Sequence, residues 1–247
     1  MGRVLFLWCL TDGLLVQYEN RIFLTRLNKN IIISVVILAY YSNLFKVIKE
    51  ILLEGYHGTT PLNAKAIIET NKVEIEPFSI KPDVVIPTGQ RLPNDLGQGL
   101  YLFLDNESQG FDGKKCAKQY AQKWRSEGSK IALIQFYFDE EPLCILDLNL
   151  PENTTRFIKL RNKLYQKIEQ SLTTFKENKS LGRANLDGIF IEYLVQHGLK
   201  VKVDGVIKDT YTPFYSSKST LSNFPNGREF CLRSTDAIDW EATKEVK

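Results

Sequence analysis

The sequence predicts an α+β fold. Short apolar runs typical of buried strands, such as Leu100–Leu104, are separated by polar stretches in which apolar residues recur at helical spacing. The chain has 247 residues, of which 43% are hydrophobic and 25% are charged, an ordinary composition for a folded protein with a sizeable core. We expect one large domain over residues 51–247, preceded by a segment of different character over residues 1–50.

The N-terminal segment is expected to combine an apolar leader with an amphipathic helix. Its apolar runs, residues 4–10 and 31–41, are both shorter than the ~20 residues that cross a bilayer, and the first lacks a small-residue cleavage site. We therefore predict neither a membrane span nor a signal peptide. Apolar residues recur at helical spacing over residues 42–52, which indicates a packing helix. An alternative is an interfacial membrane anchor formed by residues 31–45.

The first elements of the main domain follow from local signals. Residues 55–60 are predicted as a strand end and turn, and a short helix follows with Pro61 in its first turn. Residues 71–95 contain four prolines and are predicted as a long surface loop. A strand at Leu100–Leu104 and a helix over residues 114–125 come next. The predicted buried face of that helix comprises Ala117, Tyr120, Ala121 and Trp124.

The second half of the domain alternates between strands and helical stretches. Buried strands are predicted at residues 131–138 and 143–148, on either side of an acidic turn that ends in proline. Residues 154–179 form the longest polar helical stretch, and its apolar stripe suits packing on the sheet, with partner binding as the alternative. The last three predicted strands are residues 188–194, 201–207 and 229–232.

Composition limits the function classes. The 32 basic and 29 acidic residues leave a net charge of +3, which does not by itself indicate a nucleic-acid partner. The cysteines are scattered without C-x-x-C spacing, and the two histidines are far apart, so we predict no metal site and a reducing compartment, the cytoplasm. Free cysteines in apolar runs are expected to be small core residues. The four cysteines are Cys9, Cys116, Cys144 and Cys231.

The first candidate motif is Tyr56-His57-Gly58-Thr59. The His57 imidazole can hydrogen-bond a ribose hydroxyl, and Gly58 allows a ligand to approach the backbone closely. The Thr59 hydroxyl is a further hydrogen-bonding group. The structural alternatives are a histidine that caps the turn and a threonine that caps the following helix.

The second candidate motif runs from Gly97 to Phe103. Gly97 and Gly99 allow a tight approach of the chain just before a strand that presents Tyr101. The Tyr101 ring can stack on nicotinamide, although a tyrosine in a strand is also a common core residue. Since neither a G-x-G-x-x-G motif nor a P-loop motif is present, we predict no Rossmann or P-loop site.

The third candidate motif is centred on Glu229. This carboxylate lies at the start of an apolar strand, where burial is costly unless the group has a partner or a function. The structural alternative is a salt bridge with Arg228 or Arg233. The sequence does not decide between the two.

Together the three motifs supply the groups needed to cleave NAD at its nicotinamide bond. Cleavage builds positive charge on the adjoining ribose carbon, so it requires a carboxylate near that ribose and a rigid slot for the leaving ring. In order and content the motifs resemble the ADP-ribosyltransferase superfamily, in particular the diphtheria-toxin-like and poly(ADP-ribose) polymerase-like branch with its His-Tyr-Glu triad. The resemblance spans residues 54–235 and implies split antiparallel β-sheets with flanking helices.

The resemblance implies a role for each matched residue. His57 would bind the adenine-side ribose of NAD, Gly58 would hold the nicotinamide carboxamide through its backbone, and Thr59 is a further candidate NAD-binding residue. Tyr101 would stack on the nicotinamide ring. Glu229 would bind the nicotinamide-side ribose, stabilise the oxocarbenium-like transition state and orient the acceptor.

Two further NAD-binding residues depend on positions where the chain departs from the family pattern. Tyr120 resembles the second stacking aromatic, but its distance from Tyr101 in sequence is longer than usual, which indicates an insertion around residues 108–115. The family's serine that contacts the carboxamide aligns with Cys116. We therefore expect either Ser108 to replace that serine or the contact to be weaker.

The function implied by the resemblance is that of an NAD-dependent mono-ADP-ribosyltransferase acting on a macromolecular acceptor, either a protein or a nucleic acid. It would suit a bacterial toxin or defence effector with a cognate inhibitor or antitoxin. In the family the loop before the catalytic strand helps select the acceptor, and residues 209–226 here carry aromatics interleaved with lysine. The alternative is a catalytically weak module that binds NAD or ADP-ribose.

Overall fold

The computed structural model describes residues 8–10, 13–18, 21–25, 47–50, 54–87, 89–126, 130–138, 143–176, 185–214 and 222–247. The chain forms two compact units, Met1–Leu44 and Phe45–Lys247. In the first unit, the strands β1 (Trp8–Leu10), β2 (Gly13–Tyr18) and β3 (Arg21–Thr25) form an antiparallel sheet with β2 in the centre.

Much of the predicted leader lies outside the described residues. This applies to the apolar run at residues 31–41 and to the anchor proposed over residues 31–45. Within the helix predicted over residues 42–52, the described part is the strand β4 (Val47–Glu50), so the helix prediction is wrong there. β4 pairs with a later strand of the second unit, and such pairing stabilises an extended backbone that local spacing does not reveal.

The second unit is a mixed α+β structure, as predicted. Its further elements are β5 (Glu54–Thr59), α1 (Pro61–Thr70), β6 (Leu100–Leu104), α2 (Gly113–Trp124), β7 (Ala132–Phe138), β8 (Leu143–Asp147), α3 (Pro151–Lys176), α4 (Asn185–Tyr193), β9 (Gly205–Thr210), β10 (Gly227–Leu232) and β11 (Ile238–Val246). A 3-10 turn at Glu107–Gln109 precedes α2, and a π-helical turn at Leu194–Gly198 extends α4.

Eight strands form one sheet in the order β11-β7-β5-β6-β10-β9-β8-β4. Neighbouring strands are antiparallel except β8 and β9, which are parallel. β5 pairs with β7 along its whole length, whereas its pairing with β6 is limited to Tyr56 and Phe103. The sheet therefore consists of two halves that are joined at this single residue pair and diverge beyond it.

Three buried clusters cover the two faces of the sheet. One cluster packs α1 over the face that presents Leu102, Ile134 and Phe230. On the other face, α2 contributes Cys116 and Ala117 to a smaller cluster. A third cluster joins α3, α4 and the long loop before β6 to the sheet. The predicted stripe of α3 is confirmed, since four of its residues are buried in this third cluster. They are Phe157, Leu164, Ile168 and Leu172.

Two sequence-based predictions in this unit are wrong. Residues 188–194 form α4 and the start of the π-helical turn, not a strand. Ile189, Phe190 and Ile191 are all buried because α4 lies inside the third cluster, and a short apolar run cannot distinguish a buried helix from a strand. In α2, Ala117 and Ala121 are buried as predicted, but Trp124 is 52% exposed at the end of the helix.

The loop predicted for residues 71–95 is confirmed, but its surface position is wrong, because five of its apolar residues are buried in the third cluster: Phe78, Ile80, Val84, Ile86 and Leu92. The loop is also tied to the π-helical turn. Gln196 donates from Nε2 to the Phe78 carbonyl at 2.9 Å and accepts from the Ile80 amide at 3.2 Å. The Nε2 atom of His197 lies 2.6 Å from the Ile80 carbonyl oxygen. These bonds anchor a loop whose C-terminal end enters the candidate site.

Candidate active site

The three motifs meet on consecutive strands of the sheet. His57 lies on β5, Tyr101 on β6 and Glu229 on β10. In the β6–β10 register, Tyr101 is opposite Cys231 and Glu229 is opposite Phe103. Because side chains alternate along a strand, these four residues project from one face, and Tyr101 and Glu229 are on neighbouring rungs.

His57 bridges the gap where β5 and β6 diverge. Its Nδ1 atom is 2.8 Å from the carbonyl oxygen of Tyr101, and since a carbonyl can only accept, Nδ1 carries the proton. Burial lowers the pKa of His57, as does the charge of Arg125, although the bond to Tyr101 opposes the shift. The neutral ring therefore presents Nε2 as an acceptor, for which the described residues provide no hydrogen-bond donor.

Gly58 and His57 are consecutive in β5, so their side-chain positions point to opposite faces of the sheet. A Cβ atom at Gly58 would lie 2.2 Å from the Ala117 carbonyl oxygen and 2.7 Å from the Ala121 Cβ, so Gly58 faces α2. His57 thus projects from the face opposite to the one that carries Tyr101 and Glu229, and it contacts Tyr101 through that residue's main-chain carbonyl. Gly58 is required by helix packing, whatever its backbone binds.

Thr59 is buried, and its hydroxyl oxygen lies 3.5 Å from Nδ2 of Asn63. The residue that caps α1 is Thr60, whose side chain accepts from the Asn63 amide at 3.3 Å. The helix-capping alternative therefore applies to the next threonine in the chain. The Thr59 hydroxyl remains beside His57 and Gly58 at the end of β5.

The Tyr101 ring is held at its hydroxyl end. The hydroxyl accepts from the Leu96 amide at 2.8 Å and donates to the Gly97 carbonyl at 3.0 Å. Burial raises the pKa of Tyr101 well above its ordinary value. The half-buried ring is therefore neutral and oriented by a turn at the end of the long loop.

Glu229 is buried and forms no salt bridge with any residue that the structure describes. Its Oε1 atom accepts hydrogen bonds from the hydroxyls of Thr210 and Thr212, each at 2.7 Å, and the residue is 8% exposed. Burial and the nearby Asp95 raise the pKa of Glu229 to about 7, against the opposing effects of the two threonines and Lys208. Its other carboxylate oxygen has no hydrogen-bond partner among the described residues.

The neighbouring arginines are paired elsewhere. Arg228 forms a bidentate bridge to Asp209, with N–O distances of 2.6 and 3.1 Å. Arg233 pairs with the buried Glu192 at 2.5 and 2.9 Å. The salt-bridge alternative for Glu229 is therefore not what the structure contains, and the carboxylate keeps a free oxygen.

Tyr120 and Ser108 are located differently from the triad. The half-buried Tyr120 ring packs on Phe103 at a centroid distance of 5.9 Å, and Phe214 packs on Phe103 at 6.0 Å. Ser108 is exposed in the 3-10 turn, and its hydroxyl donates to Asn106 at 2.8 Å. Tyr120 therefore contacts Phe103, which lies opposite Glu229 in the sheet. Ser108 bonds only within its own turn among the described residues.

Cys116, aligned with the family's serine, is a buried residue at the same face. Its sulfur lies 3.5 Å from the Asn226 carbonyl oxygen, and burial raises its thiol pKa to about 11. Asn226 in turn exchanges two hydrogen bonds with the Thr212 backbone, at 2.9 and 2.8 Å. Cys116 therefore acts as a packing residue that supports the segment around Glu229.

Sequence reasoning missed four residues that surround Glu229. Thr210 and Thr212 hold the carboxylate, Lys208 lies opposite it in the β9–β10 register, and Asp95 interacts with it electrostatically. Thr210 and Thr212 do lie within residues 209–226, the segment that the resemblance connects with acceptor selection. Asp95 carries no local signal, because its proximity depends on how the long loop returns to Tyr101.

Within the part of the chain that the structure describes, no group of three or more metal-ligating side chains was found, and no helix is long and apolar enough to cross a membrane. Comparison of the chain with models of protein families, with curated proteins and with solved structures gave no significant match.

Proposed function

We propose that this chain is an NAD-dependent mono-ADP-ribosyltransferase that modifies a macromolecular acceptor, as a toxin or defence effector would. The observation that carries the proposal is that the strands bearing His57, Tyr101 and Glu229 are consecutive in the sheet, at the point where it divides into two halves. The strand that carries Glu229 is more than a hundred residues from the other two in sequence, so local sequence preference alone does not bring it beside them. The divided sheet also agrees with the split sheets that the resemblance implies.

The hydrogen-bonding state of the triad suits NAD. The Nε2 atom of His57 can accept from a ribose hydroxyl, because Nδ1 is committed to the Tyr101 carbonyl. The free oxygen of Glu229 can accept from the hydroxyl of the other ribose while Oε1 is held by the threonines. Both groups are preorganised by the protein, so neither must reorient before the reaction.

In the proposed reaction the bond between ribose C1′ and the nicotinamide nitrogen breaks, and its electron pair remains on the nicotinamide. The Glu229 carboxylate stabilises the positive charge that develops on the ribose. The Tyr101 ring, fixed at its hydroxyl, provides a flat surface for the leaving ring. The acceptor nucleophile then bonds to C1′.

The test is transfer of label from NAD to macromolecules in a whole-cell lysate, comparing wild type with Glu229→Gln. We expect Glu229→Gln to lower transfer by about a hundredfold or more and to change NAD affinity much less, since the charge is needed most in the transition state. Glu169→Gln, an exposed substitution on α3, is the matched control and should transfer normally. Equal losses of transfer and affinity would contradict the role of Glu229. Protease or nuclease release of the label identifies the acceptor.

One observation favours the second candidate, a module that binds NAD or ADP-ribose with weak catalysis. With a pKa of about 7, Glu229 is protonated in a large fraction of molecules at neutral pH and then lacks the charge that stabilises the transition state. Transfer assays at pH 8.5 separate the candidates. Bound but intact NAD at that pH would support the binding module, and label transfer that increases from pH 6 to 8.5 would support the enzyme.

A further inference from the structure

A second carboxylate, Asp95, lies beside the candidate active site and has no role in the reaction described above. It belongs to a tight turn that is closed by a hydrogen bond from the Gly97 amide to the Asn94 carbonyl at 3.1 Å. The hydroxyl of Tyr101 is inserted into this turn, bonded to Leu96 and Gly97. Asp95 directly precedes Leu96, so its backbone lies at the hydroxyl end of the Tyr101 ring.

The turn is fixed from the opposite side as well. Gly97 has a φ of 96°, and a Cβ atom there would lie 2.6 Å from Oε1 of Glu192. The same Glu192 oxygen accepts from the Gln98 amide at 2.7 Å. A Cβ atom at Gly188 would lie 1.6 Å from the Asn94 carbonyl oxygen, so α4 packs directly on the turn. Asp95 is therefore held in place by close backbone packing.

The charged groups that act on Asp95 are Glu229 and Lys208. Lys208 is opposite Glu229 in the β9–β10 register, so its side chain is on the same face as Glu229 and Tyr101. Burial raises the pKa of Asp95, whereas backbone hydrogen bonds within the turn and the charge of Lys208 act in the opposite direction. Two carboxylates and one ammonium group thus converge next to the ring proposed to hold nicotinamide.

Glu229 alone cannot perform every step that the reaction needs from a carboxylate. One of its oxygens is bonded to Thr210 and Thr212, and the other is the group available to the ribose. A hydroxyl that attacks C1′ must lose its proton, and the protein must provide an acceptor for it. Asp95, a second and partly buried carboxylate in the turn that holds the Tyr101 hydroxyl, meets this requirement.

We propose that Asp95 is the general base of the transfer reaction, taking the proton from an acceptor hydroxyl, or from water when no acceptor is bound. This inference rests on the proposed function. The bond from the attacking oxygen to C1′ forms as the bond from C1′ to nicotinamide breaks, the electron pair leaves with nicotinamide, and the proton passes to the Asp95 carboxylate.

The experiment measures hydrolysis of NAD to ADP-ribose and nicotinamide by the full chain, with and without added formate or azide. Asp95→Ala should lower kcat by about a hundredfold or more. Formate or azide, as a small diffusible base, should restore about tenfold or more of that loss in Asp95→Ala and have no effect on wild type. NAD affinity should remain within about threefold of wild type. Asp83→Asn, an exposed substitution in the same loop, is the matched control.

The outcomes separate this inference from the proposed function. If wild type is active and Glu229→Gln is inactive, but Asp95→Ala and the isosteric Asp95→Asn keep activity within about threefold of wild type, only the assignment of Asp95 is overturned. Loss of activity in Asp95→Asn with normal melting temperature and NAD affinity supports the assignment. An unrescued loss in Asp95→Ala would indicate a structural role and overturn it. Absence of product from wild type would overturn both proposals.

Discussion

At the scale of single residues, the pKa of Glu229 is raised because neither nearby arginine pairs with its carboxylate. Arg228 and Arg233 lie one and four residues from Glu229 in sequence, yet their guanidinium groups pair with Asp209 and Glu192. Two threonine hydroxyls hold one carboxylate oxygen, and hydroxyls compensate burial less completely than a cation does. The ionised form of Glu229 is therefore disfavoured by burial, although hydrogen bonds hold the carboxylate in one position.

This burial predicts that Glu229 destabilises the fold as pH rises. The folded-state pKa of about 7 is above the ordinary 4.5, so the folded chain binds this proton more tightly than the unfolded chain. The associated stability is present below pH 4.5 and is lost as pH rises through 7. Replacement by Gln removes the ionisation, so Glu229→Gln should increase the free energy of unfolding by roughly 2 kcal/mol more at pH 8 than at pH 5.

Urea unfolding at the two pH values checks this prediction, with Glu169→Gln as an exposed control that should show no such difference. If Glu229→Gln changes the free energy of unfolding equally at pH 5 and pH 8, burial does not raise the pKa of Glu229 in the folded chain.

His57 allows a second prediction at the residue scale. Its neutral ring donates from Nδ1 to Tyr101 and offers Nε2 to a ligand. His57→Ala should weaken NAD binding by about three- to tenfold, the effect of losing one hydrogen bond to a neutral group. Calorimetric titration with NAD measures the change. Unchanged affinity would exclude the ribose contact, since no other described residue replaces Nε2 at that position.

At the scale of elements, the contact between β5 and α2 depends on Gly58. Gly58→Ala would introduce a Cβ atom 2.2 Å from a backbone oxygen of α2, and a helix backbone cannot yield as a flexible side chain does. We expect a loss of about 2–3 kcal/mol in the free energy of unfolding, together with weaker NAD binding as α2 shifts.

Thermal and urea unfolding of Gly58→Ala measure the loss, and Gly227→Ala provides the comparison. At Gly227 the nearest atom to an added Cβ is the Cys116 sulfur at 3.2 Å, so its cost should be much smaller. Similar costs at the two glycines would contradict close packing of β5 on α2.

Elements also show where local patterns are informative. The helix that begins at Pro61 and the proline-rich loop follow from steric restrictions on the backbone, which act whatever the surroundings. α4 was predicted as a strand because Ile189, Phe190 and Ile191 are consecutive apolar residues. They are consecutive because α4 is enclosed in the third cluster, so burial on all sides removes the helical periodicity.

At the scale of the whole molecule, the divided sheet defines the candidate site. β5 belongs to the half with β7 and β11, and β6 belongs to the half with β10, β9, β8 and β4. Beyond the Tyr56–Phe103 pair, the edge of β5 that faces β6 has no described strand partner. A ligand can therefore hydrogen-bond to amide and carbonyl groups of β5 that would pair with a neighbouring strand in a continuous sheet.

The two compact units lead to a prediction about truncation. All three buried clusters lie within the unit Phe45–Lys247, so this unit contains its own core. A chain that begins at Phe45 should unfold cooperatively with a melting temperature within about 2 °C of the full chain, since about 1 kcal/mol corresponds to 2–4 °C at this size. Its NAD affinity should be unchanged.

Differential scanning calorimetry and NAD titration of the two chains check the truncation. A melting temperature that falls by more than about 5 °C would show that the first unit stabilises the second.

The sequence by itself determined the α+β class, most elements of the main domain and the three motifs, because helix starts, proline-rich loops and apolar strands depend on residues close in the chain. Only the tertiary structure decided that Glu229 pairs with threonines and not with arginine, that Gly58 serves the packing of α2, and that Asp95 lies near Glu229. These relations depend on strand register and loop return, which join residues distant in sequence and are decided by burial of the whole core.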